Sequence, residues 1–165
     1  MTSGVRTSVV VVSAPDHPVD FHQLIDSSIN KPARYMGHEL GVEPRDWQAA
    51  LVRWALTYPE IYEVGSSNLG HIILYSILNA VPGQLCDRAY LPAADLAARL
   101  REQEQALFGV ESRRPLPAFD ILGFSLSYEL GATNILEMLD LCRVPLRASD
   151  RGDLPLNDPA APPLI

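Results

Sequence analysis

The chain has 165 residues, the size of one domain. With 47% hydrophobic and 20% charged residues it has a globular composition, which excludes a disordered chain. Thirteen Lys+Arg against 20 Asp+Glu give a net charge of −7, which argues against nucleic-acid binding over a broad basic surface.

Residues 1–44 are irregular by pattern and punctuated by Pro15, Pro18, Pro32 and Pro44. The run Val9-Val10-Val11-Val12 is either a strand or an unpaired tail, and it is too short for a signal-peptide core or a membrane span. A short helix fits around Phe21–Ile25. Residues 1–29 are expected to be poorly ordered, with the domain proper running from 30 to 165.

Ala50–Tyr58 reads as a buried strand ended by Pro59. A loop through Tyr62, Gly65, Ser66, Ser67 and Asn68 leads into a helix. Its apolar positions Leu69, Ile72, Ile73, Ile77 and Leu78 trace one face, and Pro82-Gly83 ends it. His71 lies on or beside that face and reads as a packing histidine. Leu85–Leu91 is a second strand. The helix after it, from about Ala93 to Gln105, turns Leu96, Leu100 and Leu107 inward and Arg99, Arg101, Glu102 and Glu104 to solvent. Asp120–Ser127 is a third strand. A loop through Gly131 feeds a helix starting near Thr133, with Ile135, Met138, Leu139 and Cys142 on its inner face. The stretch from Arg147 reads as loop, and Pro163-Leu164-Ile165 as the start of a fourth strand.

This alternation predicts an α/β, Rossmann-like parallel sheet with helices on both faces, in spatial order 2-1-3 with the fourth strand beside the third. Ligands of such sheets sit at the carboxyl ends of the strands. The loops Tyr62–Asn68 and Ser127–Asn134 are therefore expected side by side, forming the main cleft. Tyr62, Gly65, Ser66, Asn68, Ser127 and Asn134 are its candidate binding residues. Amides at the two helix entrances favour an anionic or polar ligand. Gly65 would allow close backbone approach, so Gly65→Val is expected to remove binding at modest cost to folding. Helix capping explains the serines and asparagines equally well. Glu63 and Glu129, just past two strand ends, are candidates for an acid/base pair. Arg113-Arg114 is either an anion clasp or a solvated turn. There is no G-x-G-x-x-G, P-loop or nucleophile elbow. Cys86 and Cys142 make no C-x-x-C and do not supply the ligand set of an iron–sulfur cluster; two such thiols suit the cytosol.

Three stretches together resemble the N-terminal region of a family of bacterial radical S-adenosylmethionine (SAM) proteins that begin with a cobalamin-binding-like domain. They are Lys31-Pro32-Ala33-Arg34-Tyr35-Met36-Gly37-His38-Glu39-Leu40-Gly41; Tyr58-Pro59-Glu60-Ile61-Tyr62-Glu63-Val64-Gly65-Ser66-Ser67-Asn68-Leu69-Gly70 running into Leu74-Tyr75 and Leu78-Asn79; and Glu111-Ser112-Arg113-Arg114-Pro115 with Phe119–Leu130 and Thr133-Asn134-Ile135-Leu136. The resemblance implies a cobalamin-binding-like Rossmann fold that precedes a barrel. That barrel carries the [4Fe–4S] cluster that cleaves SAM. It further implies that the chain stops inside the first domain, has no catalysis of its own, and partners a barrel in cis or as a separate chain. Cobalamin is the implied ligand, although the D-x-H-x-x-G that supplies a cobalt-binding imidazole is replaced here by Tyr62–Gly70. Two other classes remain open: a ligand-free α/β module acting by protein–protein contact, and a small nucleotide-type binder using the loop at Gly65.

Overall fold

A computed structural model describes residues 17–37, 39, 42, 45–152, 158 and 161–165. The valine run at 9–12 lies outside the described residues. Three strands, β1 (Val52–Tyr58), β2 (Gln84–Tyr90) and β3 (Ile121–Phe124), pair in parallel in the order β2-β1-β3. The register sets Trp54 beside Cys86 on one side and Ile121 on the other. Leu164 continues the sheet past β3: its amide donates to the Asp120 carbonyl, and its carbonyl accepts from Leu122. The α/β class, the strand order and the fourth-strand position all follow the sequence reading.

Alternation along the strands divides the molecule into two faces. Ala55, Leu85, Ala89 and Leu122 point to one side. There they pack against α1 (Phe21–Leu24), α4 (Ala94–Glu102) and α5 (Gly131–Leu141) through Leu24, Leu96, Leu100, Met138 and Leu139. This is the apolar core, and the inward residues of α4 and α5 are those expected. The other face carries Tyr58, Arg88 and Tyr90 and is covered by α3 (Leu69–Ala80), with α2 (Tyr62–Gly65) before it.

α3 corrects one expectation. Its inward residues are His71, Tyr75, Leu78 and Asn79, a stripe at helical spacing, of which His71 and Asn79 are buried. The aliphatic stripe Leu69, Ile72, Ile73 and Ile77 points to solvent. The cause is the surface beneath. Asn79 stands in for a strand partner at the outer edge of β2, donating to the Cys86 carbonyl at 3.0 Å and accepting from its amide at 2.9 Å. A buried backbone edge needs such a partner, and a leucine could not supply it.

Residues 1–29 divide in two. Residues 1–16 lie outside the described residues, whereas Val19, Leu24 and Ile29 are buried in the core. Arg99, expected only to face solvent, ties this stretch down through Gln23, Asp26 and Ser28.

Candidate functional site

The two loops at the carboxyl ends of β1 and β3 meet over Tyr58. Its hydroxyl accepts from the Asn68 amide at 3.1 Å and lies 3.3 Å from the Ser127 hydroxyl. The Asn134 amide donates to the Pro59 carbonyl at 2.8 Å, and the Tyr128 hydroxyl donates to Glu60. Asn68 is also the N-cap of α3, its oxygen accepting from the His71 amide at 3.0 Å. Of the residues expected at a cleft, Asn68 and Ser127 meet at Tyr58 and Asn134 bonds Pro59, whereas the Tyr62 hydroxyl turns away to Glu39.

Gly65 is buried and packs under the Tyr90 ring. A Cβ there would lie 2.5 Å from Tyr90 Cδ1 and 3.1 Å from Tyr58 Cβ. The absent side chain makes room for a tyrosine, so Gly65→Val collides with the core. Gly131, expected to form a turn, is the first residue of α5, where a Cβ would meet Leu126 at 3.2 Å. Ser66 ends α2, its amide donating to the Tyr62 carbonyl.

Glu63, one of the two carboxylates considered for an acid/base pair, is engaged in an ion pair. Arg34 grips Glu63 through Nε at 2.9 Å and its terminal nitrogen at 2.8 Å, and Lys31 adds a contact at 3.3 Å. The Arg34 hydrogen bond leads in holding this carboxyl down at about 2, so it stays ionised and is a poor proton donor. The Arg113 and Arg114 guanidiniums stack over Phe21 and Trp47 at 4.3 and 4.8 Å, which gives them a packing role in the turn.

The most connected polar centre is one the sequence reading missed. Arg88, buried in β2, donates to Glu39 at 2.7 Å and through Nε to Glu111 at 2.9 Å, and stacks 4.5 Å over the Tyr75 ring. The Tyr62 hydroxyl donates to the other oxygen of Glu39, and Tyr75 to the other oxygen of Glu111 at 2.8 Å. Glu111 Oε1 also lies 2.9 Å from one terminal nitrogen of Arg88, which makes an ion pair but lacks hydrogen-bond alignment. Burial, with Asp87 adding to it, pushes the Glu111 carboxyl up to about 7, while Arg88 pulls the other way. Next along the strand, buried Asp87 accepts from the amides of Arg88, Glu111 and Ser112 and from the Ser112 hydroxyl at 2.6 Å. The available clue was Asp87-Arg88 itself. Two charges inside a buried strand require partners on both faces.

The described residues of the motif at 31–39 each have a place in the fold, and Glu39 joins them to this centre. Lys31 adopts a left-handed backbone and Pro32 opens a 3-10 turn through Tyr35. Arg34 reaches Glu63 of α2. Buried Tyr35 accepts from the Ala93 amide at 3.1 Å, at the entrance of α4. Gly37, at φ 67°, passes so close to the Val110 carbonyl that a Cβ would lie 2.0 Å from it. Glu39 then completes the clamp on Arg88. The segment is a strap that fixes α2 and the turn at Glu111–Arg114 onto β2.

His71 sits between Tyr58 and Tyr90, with ring centroids 5.4 and 5.7 Å away, and its Nδ1 lies 3.3 Å from the Ser125 hydroxyl. Burial, helped by Arg88, lowers its pKa to about 4, so the ring is neutral at pH 7. It is a packing histidine, as expected. Among the described residues, no three His, Cys, Asp or Glu side chains group to hold a metal ion. No helix among them is long and apolar enough to cross a membrane.

No curated protein and no solved structure matches this chain. The family described as radical SAM proteins, N-terminal, does match, over residues 70–160. The match runs from α3 through α5 and covers more than half of the 165 residues, and the chain belongs to this family of radical SAM N-terminal domains.

Proposed function

We propose that this domain serves a radical SAM protein by contact, as an accessory unit forming a wall beside the catalytic barrel, and holds no cofactor of its own. The observation that carries this reading is the internal closure of the carboxyl end of the sheet. Asn68, Ser127 and Asn134 bond Tyr58 and Pro59, and the gap at Gly65 is filled by Tyr90. A corrinoid needs free amide and hydroxyl partners and room for a large ring. The engagement of Asn68, Ser127 and Asn134 with Tyr58 and Pro59 favours the reading without one. His71 lies buried between two tyrosines, with its Nδ1 beside the Ser125 hydroxyl, which favours a packing role over a ligand role. The [4Fe–4S] cluster and SAM belong, in this reading, to the barrel, in cis or as a separate chain. The cytosol is the compartment that suits such a protein.

The test is titration of the folded chain with hydroxocobalamin, followed by its visible spectrum, beside small-angle scattering of residues 1–165 joined to a family member's radical SAM domain. The reading expects no saturable spectral change and a compact, docked pair. Saturable corrinoid binding lost in Asn68→Leu would overturn it.

A further inference from the structure

This inference rests on the docking reading above and names the surface that makes the contact. α3 carries no Asp, Glu, Lys or Arg along its twelve residues. Leu69, Ile73, Ile77 and Val81, spaced four apart, are 67, 48, 56 and 41% exposed. Residues four apart form a ridge along a helix. Beside it runs a second exposed row, Ile72, Ser76 and Ala80, whose last two side chains are small. The Ser76 hydroxyl is turned back onto the Ile72 carbonyl at 2.9 Å, so the row presents little free polarity. A bulky ridge next to a low row is the relief that receives a partner helix.

Size and charge select the occupant. α3 is about 18 Å long, so one face offers a few hundred Å² at most. Stable contacts between separate proteins take about 800 Å² from each partner. Domains within one polypeptide share about 600–1,500 Å² in total, and this face suits that range. A second copy is further disfavoured by the −7 net charge each copy would carry. We propose that the Leu69–Ile73–Ile77–Val81 ridge docks onto an apolar face of the radical SAM domain in the same protein, the tether supplying the effective concentration that the small area lacks.

Thiol labelling tests this, because Cys86 and Cys142 are buried and leave a low background. Ile73→Cys is made in the chain alone and in the chain joined by a flexible linker to a family member's radical SAM domain. Maleimide labelling of the peptide containing position 73 is followed by mass. The expected result is labelling on the order of tenfold slower in the joined protein. In the chain alone the rate should be the same at every concentration. Ile77→Cys should behave likewise, and both variants should melt as the parent chain does. If the joined protein is compact by scattering yet position 73 labels at the free rate, the ridge is the wrong surface and the docking reading stands. Two independently tumbling domains would overturn both. Protection that grows with the concentration of the chain alone would assign the ridge to a second copy and overturn the proposal.

Discussion

The two faces of the sheet are built on opposite rules. On the α4–α5 side, the helices turn aliphatic residues inward and charges outward, with buried Asp87 of β2 as a charge beneath them, held by backbone amides and the Ser112 hydroxyl. On the α3 side, a histidine, a tyrosine and an asparagine point inward while isoleucines point out. The first face buries surface. The second gives Arg88 two carboxylates and the β2 edge an asparagine, and leaves its aliphatic area exposed. One sheet thus holds an apolar side and a side whose polar interior is only partly bonded, with His71 Nε2, the Tyr90 hydroxyl and one Arg88 nitrogen buried without a hydrogen-bond partner, and whose apolar exterior has no cover within the described residues.

The contrast is sharpest at Arg88. Arg88→Ala would leave Glu39 and Glu111 buried or half-buried without a counter-charge. Urea unfolding is expected to show a loss of about 3–5 kcal/mol, with the strap at 31–39 becoming protease-sensitive. A variant as stable as the parent would show that the clamp contributes nothing.

His71 gives the α3 side a pH dependence. Its folded-state value of about 4 lies below the ordinary 6.5, so the unfolded chain binds the proton first as pH falls. Stability contributed by the neutral ring is present above about pH 6.5 and is lost toward pH 4, on the order of 3 kcal/mol in all. Unfolding curves of the parent and His71→Phe across this window isolate it, because carboxylate titration is common to both. Equal slopes would remove the histidine from the account.

Gly65 gives a smaller effect. Gly65→Ala places a methyl against the Tyr90 ring, and overpacking of this kind costs about 1–3 kcal/mol. A neutral Gly65→Ala would mean that the loop has slack, and the ligand reading of this glycine would regain ground.

These differences also explain what was legible in the sequence. Strand–helix alternation is local, so β1, β2, β3 and their order were readable, as were the inward leucines of α4. Periodicity shows that a helix has an apolar stripe but not which way the stripe points. In α3 two stripes at the same spacing compete, Leu69-Ile72-Ile73-Ile77 and His71-Tyr75-Leu78-Asn79, and the partner surface decides between them. That surface is set by Arg88 and the Cys86 backbone, which reach α3 only through the fold. The motif at 31–39 was recognisable but physically opaque, because Arg34, Tyr35 and Glu39 bond residues 29, 58 and 49 positions away. Topology brings the Asn68 and Ser127 loops together, while their bonding depends on Tyr58, a strand residue that the loop-centred reading left out.

α3 shows its aliphatic face to solvent while α4 buries its own. The most direct measurement truncates one side chain on each helix, Leu100→Ala and Ile77→Ala, and compares urea midpoints under identical conditions. Fully buried Leu100 should cost about 2–5 kcal/mol, and Ile77, more than half exposed, within about 0.5 kcal/mol of zero. Equal losses at the two positions would contradict the account, because they would place the isoleucine face of α3 in the core.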